Sequence, residues 1–273
     1  VIILNGIGSR CSFSVLISDK IVNLDMFEKT QILPLYLYNN NNNNGSFAYD
    51  TPEKTYAISN EILKQFQQNL ALNINQEDLF YYIYGILHSP CYRKTFAALL
   101  KKDLPRIPLA NNDKEFQAFA QAGRKLADLH LGFETGELYS KVQLLLNGRP
   151  TTLAELKTHP AELFMVEKMS FGKNKNTKEK DLSIINYNKR ISVYNIPPQA
   201  YNYRICSVSA IEYVMRRQTI KTEPKSGITN NANDYAIETM QNPAYPLELL
   251  LRVIHISLKT QEIIAELPKL QGL

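Results

Sequence analysis

Apolar residues recur along this chain with two different periods, and the change of period divides it. From residue 1 to 38 the pattern is short and strand-like. Ser12 to Ile17 and Ile32 to Tyr38 concentrate β-branched and aromatic residues, and Pro34 marks an edge or a strand start. The asparagine run Asn39 to Asn44, with Gly45 and Ser46 behind it, predicts a mobile low-complexity loop. Helical spacing is expected after Pro52. Ser59 is placed to cap a helix whose apolar face is Ile62, Leu63, Phe66 and Leu70. Asn75 precedes Gln76-Glu77-Asp78, so the next helix starts with a cap and with acids where its dipole favours them. Leu79, Phe80, Ile83, Ile86 and Leu87 form its apolar face, and His88 sits in its last turn. Ser89-Pro90 restarts the helix with a cap and a proline at the first position. Tyr92, Phe96, Leu99, Leu100 and Leu104 are its expected buried stripe; Arg93, Lys94, Lys101 and Lys102 lie outside. Asn112 and Glu115 have capping-box spacing and open a helix with Phe116, Phe119, Gly123, Leu126 and His130 on one face. A helical subdomain over roughly residues 55–132 follows.

Beyond Glu134 the period changes again. Leu144 to Leu146 reads as a strand ending at an Asn147-Gly148 turn, and Leu182 to Tyr187 with Ile191 to Ile196 reads as a hairpin around Asn188-Lys189. Between them runs a basic loop, Gly172 to Asp181. Ser207 to Gln218 is helical, with Ile211, Val214 and Met215 inward and Arg216-Arg217 at its end. A polar loop is expected over Thr222 to Asp234, then a helix from Pro246 to Glu266 that Pro268 stops. The whole reads as an α+β protein, with the helical part packed with a mixed β/α region over 138–273.

Composition narrows this little. At 273 residues, 44% hydrophobic and 21% charged, the chain can bury one large core or two smaller ones. A formal net charge of +5 permits an anionic partner without demanding one. No apolar run reaches the roughly 18 residues needed to cross a bilayer. The opening Val-Ile-Ile-Leu lacks a charged leader and a cleavage site, and reads as a cut inside a longer polypeptide. Cys11, Cys91 and Cys206 are few and far apart, which argues against a disulfide framework and fits a reducing cytoplasm.

Catalytic patterns fail on inspection. Asn195-Ile-Pro-Pro198-Gln199 lacks the aromatic of an adenine methyltransferase motif, and Asn242-Pro-Ala-Tyr245 lacks its second proline. Gly6-Ile-Gly8 has no strand-turn-helix setting for a cofactor loop, and no Walker loop or nucleophile elbow is present. His88, His130, His159 and His255 have no metal-ligand spacing. Glu155-Leu-Lys157 mimics half of a nuclease site but reads as a solvated helix face. What remains is basic charge. Lys173, Lys175, Lys178, Lys180, Lys189 and Arg190 form one group; Arg216, Arg217, Lys221 and Lys225 form another, with Asn230 beyond it. Such groups neutralise phosphates, and Arg or Asn pairs with base edges. A solvated basic face explains them equally well from composition alone.

Several separated motifs resemble one family in their order. Asp78-Leu-Phe-Tyr-Tyr-Ile-Tyr-Gly-Ile-Leu-His-Ser-Pro-x-Tyr-Arg93 is similar to a signature in the C-terminal part of Type ISP restriction-modification enzymes. So are Ile32-Leu-Pro-Leu-Tyr36, Leu104-Pro-Arg-Ile-Pro108 and Phe119-Ala-x-Ala-Gly-Arg-x-Leu-Ala-Asp-Leu-His130. Asp181 to Asn188, Ile196-Pro197, Ser209-Ala-Ile-Glu-Tyr213, Ser226-Gly-Ile-x-Asn-x-x-Asn233 and Tyr245-Pro-x-Glu-Leu-x-Leu-Arg-Val253 complete the series. Two departures stand out: Tyr213 where the family usually has Trp, and Cys206-Ser207 where an Asn-Gly turn is common. The resemblance implies a target-recognition (specificity) domain of a polypeptide that also carries a nuclease, an ATP-dependent motor and an adenine methyltransferase. On that footing residues 1–45 continue from a methyltransferase domain and 46–273 form the recognition domain. The expected partners are double-stranded DNA and the methyltransferase and motor domains of the same polypeptide, with no membrane. No cofactor is expected in this chain; the parent enzyme would use S-adenosylmethionine, ATP and magnesium. The eleven basic and amide residues above, Lys173 to Asn230, become the expected DNA contacts, in the Gly172–Arg190 region and the Arg216–Asn233 loop. The tyrosine-rich stretch becomes scaffold. Two other readings stay open: an inter-domain scaffold that reads no bases, and a catalytic fragment with an unrecognised nuclease or methyltransferase site.

Overall fold

The computed structural model describes residues 1–24, 26–39, 53–174 and 176–270. The asparagine run from residue 40 onward lies outside the described residues. Helices and small antiparallel sheets are mixed along the chain, an α+β architecture as the sequence predicts. Two units form: Val1–Leu131 with Glu262–Leu273, and Gly132–Gln261. Among the described residues no helix is long and apolar enough to cross a membrane.

In the first unit β1 (Ile2–Leu4) lies between β2 (Val15–Ile17) and β3 (Gln31–Leu33), antiparallel to both. Its three residues are buried, as befits a central strand. β4 (Tyr36–Asn39) pairs with β5 (Glu53–Tyr56). This corrects the expectation of helical sequence directly after Pro52. Tyr36 and Tyr56 sit opposite each other with ring centroids 5.1 Å apart, and the Lys54 ammonium lies 3.5 Å over Tyr36. Such cross-strand pairs reward the extended form over the helix.

Four helices follow: α1 (Asn60–Gln68), α2 (Gln76–His88), α3 (Pro90–Thr95) and α4 (Asp113–Leu131). Ser59 caps α1, but Ile62 is exposed and only Phe66 of its residues is fully buried. Asn75 and Asp78 close a complete capping box on α2. The restarted helix is shorter than its apolar spacing predicts. Leu99 is 58% exposed and Leu104 41%, so two of the five expected positions of the stripe stay exposed. A short helix without a packed face is not sustained.

α2 and α4 approach at their glycines. A Cβ on Gly85 would lie 2.2 Å from the Phe119 carbonyl oxygen, and one on Gly123 1.9 Å from that of Tyr81. No larger residue fits either position without moving a backbone. The close approach lets Tyr82 stack on Phe116 at 4.9 Å, with Phe66 and Phe119 edge-on to it. Arg124 of α4 reaches the start of α2, bonding Asp78 at 2.7 Å and Glu77 at 3.4 Å over the face of Tyr81. Tyr82 and Tyr92 donate to the carbonyls of Pro108 and Arg106, each at 2.9 Å, and so tie down the proline-punctuated exit. Tyr84 Oη lies 2.7 Å from His130 Nδ1, and His88 Nδ1 lies 3.0 Å from the Tyr84 carbonyl, all of it buried. The tyrosines and histidines of this stretch are therefore internal struts.

The second unit is built on a five-stranded antiparallel sheet. Its strands are β6 (Gln143–Leu146), β7 (Arg149–Thr151), β8 (Ser170–Lys173), β9 (Lys180–Asn186) and β10 (Ile191–Tyr194), in the order β7-β6-β10-β9-β8. Asn147 and Gly148, at φ 50° and 80°, make the predicted turn between β6 and β7. α5 (Leu153–Leu156) follows, with Glu155 spent on its capping box to Thr152. The hairpin β11 (Arg204–Ile205) and β12 (Val208–Ser209) leads into α6 (Ala210–Arg217). The stretch predicted as a polar loop is instead a ribbon, β13 (Lys221–Thr222) paired with β14 (Thr229–Asn230), then the short α7 (Ala232–Asp234). Paired threonines across the ribbon supply the pairing that composition hid. α8 (Tyr245–Ala265) closes the unit, its last turn counted with the first. Buried Glu248 anchors α8. Burial would raise its pKa, but Lys157 at 2.5 Å, Arg252 at 3.2 Å and Asn242 at 3.0 Å outweigh that and hold it below the usual carboxylate value.

Candidate nucleic-acid interface

The basic loop of the sequence is the tip of the β8–β9 hairpin. Lys173 and Lys180 face each other across the pair. The register jumps between Phe171 and Gly172, a bulge that re-aims the strand end. The close approach of Ile184 leaves room only for glycine there, with a Cβ on Gly172 meeting it at 2.7 Å. The turn is stiff. Asn174 Oδ1 accepts from the amides of Asn176 at 2.9 Å and Thr177 at 3.2 Å, and Lys178 takes a left-handed φ of 61°. Lys180 extends past Phe171, its ammonium 5.8 Å from the ring centroid.

The end of α6 faces this hairpin. Lys168, Lys173, Lys178, Lys180 and Arg216 line one groove of about 400 Å³, with Phe171 and Met215 at its floor. Among the described residues Glu212 is the one carboxylate lining it, and its Oε2 accepts from Ser209 in the cap of α6. The groove therefore presents five cations against one carboxylate. Cations gathered along one groove are what a phosphate backbone needs to be held in register.

A second groove, of about 420 Å³, shares Lys168 and Ser170 with the first. Lys189 and Arg190 line it from the β9–β10 turn, alongside the amides of Asn186, Asn188 and Asn233. Two of these amides hold the frame. Asn188 Oδ1 accepts from the Arg190 and Ile191 amides, and Asn233 bonds both the amide and the carbonyl of Val166 at 2.9 Å. Lys189 lies 3.7 Å from Glu167, both well exposed.

The predicted contacts therefore divide. Lys173, Lys178, Lys180 and Arg216 meet in one groove, and Lys189 and Arg190 line its neighbour. Arg217 points elsewhere, its guanidinium 5.1 Å over the Tyr213 ring. Lys221, Lys225 and Asn230 are exposed on the β13–β14 ribbon. Lys175 lies outside the described residues. Lys168 is a participant the sequence did not single out: it stands alone between Glu167 and Met169, and only the fold brings it to both grooves.

The discarded motifs have structural employment. Asn242 donates to Glu248 and accepts from the Ala244 amide, and Ile196 of Asn195-Ile-Pro-Pro is buried. His255 lies 3.7 Å from Glu137. Among the described residues no group of three or more His, Cys, Asp or Glu side chains is arranged to hold a metal ion.

The chain matches the family model described as the Type ISP C-terminal specificity domain over residues 1–249. Among solved structures it is similar to the ATP-dependent Type ISP restriction-modification enzyme LlaBIII bound to DNA, at 34% identity and a TM-score of 0.80, covering 99% of this chain and 16% of that one. A nuclease-deletion mutant of the Type ISP enzyme LlaGI, in complex with a DNA substrate mimic, is 33% identical with a TM-score of 0.73, covering 98% of this chain and 21% of that one. The DrdV–DNA complex is 30% identical with a TM-score of 0.77, covering 98% and 24%. The chain thus spans about a sixth to a quarter of the length of these relatives. No curated protein sequence matches it.

Proposed function

Since this chain belongs to the family of Type ISP C-terminal specificity domains, we propose that its second unit grips duplex DNA and sets its register for the activities of a longer polypeptide. The observation that carries this reading is the convergence of Lys168, Lys173, Lys178, Lys180 and Arg216 on one groove. Four of the five come from the β8–β9 hairpin or the segment leading into it, and the fifth from the end of a packed helix. These cations meet phosphates and give an affinity independent of sequence, which falls as salt rises. The first unit acts as scaffold, with Tyr82, Tyr84, Tyr92 and His130 engaged in internal bonds.

Adenine methylation and ATP-dependent cleavage then belong to other segments of the polypeptide, which would bind S-adenosylmethionine, ATP and magnesium. The setting is the cytoplasm, where the target adenine is swung out of the duplex by the methyltransferase while this chain holds the flanking DNA.

Lysine-reactivity footprinting of the full-length gene product tests this. Saturating duplex is expected to protect Lys168, Lys173, Lys178 and Lys180 from acylation. Equal reactivity of all four with and without duplex would remove the groove from the DNA path.

A further inference from the structure

The geometry points to the β13–β14 ribbon as the element that reads bases, through the face carrying Lys221, Glu223, Ile228 and Asn230. This rests on the reading of the second unit as a duplex-binding surface and goes beyond it, because the grooves described above explain grip and not discrimination.

The ribbon is held firmly at its root. The Ile220 amide donates to the Glu167 carbonyl at 2.9 Å, and at the other end the Asn233 side chain makes two 2.9 Å bonds to Val166. Both ends therefore rise from the Val166–Glu167 segment, next to Lys168 of the phosphate-gripping groove. Beyond the root every residue from Lys221 to Asn230 is exposed. The tip is closed by the Gly227 amide on the Glu223 carbonyl at 2.8 Å, with Gly227 at φ 70°, and by the Glu223 amide on the Ile228 carbonyl at 2.9 Å. A rigid root with a fully solvated arm suits a probe that enters another molecule.

Side chains alternate along a strand, so the paired residues sort into two faces. Thr222 and Thr229 sit opposite each other with hydroxyls 2.8 Å apart, satisfied by one another. Lys221 and Asn230 form the next pair and point to the other face. One step beyond the strand ends, the bond from the Glu223 amide to the Ile228 carbonyl continues the ladder and carries these two residues onto that same face, with Glu223 Oε1 accepting from the Lys225 amide at 3.4 Å. It therefore carries an ammonium, an amide, a carboxylate and an aliphatic group within two residue pairs. Those are the side-chain types that distinguish bases at the major-groove edge. Lysine suits guanine O6 and N7, asparagine pairs bidentately with adenine, a carboxylate accepts from cytosine N4, and an apolar group meets the thymine methyl. A two-stranded ribbon also fits the width of that groove. Ile228 is 63% exposed, a large apolar side chain on a free arm, and a base edge would cover it.

The test is selection of bound duplexes from a random-sequence pool by the full-length gene product, without ATP or magnesium, followed by sequencing. Wild type is expected to enrich one motif. Glu223→Ala, Ile228→Ala and Asn230→Ala should each lose preference at a position of that motif by about 5-fold to 100-fold, while bulk duplex affinity changes about 3-fold or less. Melting temperatures equal to wild type would establish that the arm variants fold. An unchanged motif in all three variants overturns the proposal. So does a uniform loss of affinity with the motif retained, which would make the ribbon a clamp or a contact with another protein segment. A wild-type protein that binds no duplex would instead overturn the DNA-gripping reading beneath it.

Discussion

Removing Lys173, Lys178 and Lys180 together as alanines should change how DNA affinity responds to salt, by an amount the groove itself fixes. Five cations line it. If each meets one phosphate, they contribute about −4.5 to the slope of log affinity against log salt, at about −0.9 per contact. Between 50 and 200 mM salt that share alone weakens binding by about 500-fold. With only Lys168 and Arg216 left, the share falls to about −1.8, or about 12-fold over the same interval. Alanine is chosen over glutamate so that loss of contact is not confused with added repulsion. All three side chains are exposed, so thermal stability should not move. The assay is fluorescence anisotropy of the full-length gene product on a labelled duplex at four or more salt concentrations. The change of slope, near 2.7, should be the same on a cognate and a scrambled duplex, because phosphates carry no sequence. A slope within about 0.5 of wild type, or a change confined to one sequence, would refute the assignment.

Three further outcomes test the scaffold. Gly123→Ala places a methyl 1.9 Å from a backbone carbonyl, so the helix-propensity gain of about 1 kcal/mol is outweighed by an overpacking cost of about 3 kcal/mol. A fall in melting temperature of several degrees by circular dichroism is expected, and an unchanged or raised value would contradict the close approach. Cys206 occupies a left-handed φ of 55°, so Cys206→Gly should stabilise the protein by about 1 kcal/mol in urea denaturation; destabilisation would mean its side chain matters more than its backbone. Burial pushes His130 down to about 3 and lowers His88 well below the ordinary histidine value, with Arg93 adding to both. Such groups bind fewer protons folded than unfolded, so the stability they contribute is complete above pH 6.5 and is lost as pH falls toward 3. Each histidine should remove up to about 1.4 kcal/mol per pH unit below 6.5. Stability measured from pH 7 to 4.5 that stays flat would show that these rings are not held neutral.

The sequence alone carried the features encoded by neighbours in the chain. Asn75 with Asp78, Ser89-Pro90, Asn112 with Glu115 and Asn147-Gly148 each announce a cap or turn within a few residues, and the structure makes each. The order of motifs likewise pointed to the family without any tertiary information. What the sequence could not determine was whatever depends on a distant partner. Leu99 and Leu104 keep helical spacing, yet both stay exposed and the helix stops at Thr95. Tyr56 looks like the lead-in to a helix, but Tyr36 recruits it into a strand. The turn at Cys206 takes the left-handed backbone that Asn-Gly would favour, because the β11–β12 pair demands it whichever residue stands there. The candidate site shows the same division. Charge in the sequence marked Lys173, Lys178, Lys180 and Arg216 as two separate groups. Only the folding of α6 against the β8–β9 hairpin made them one groove, added Lys168 and turned Arg217 away. Local hydrogen bonds write caps and turns into adjacent residues, whereas a charged surface is made by burial elsewhere, and burial is decided by the whole fold.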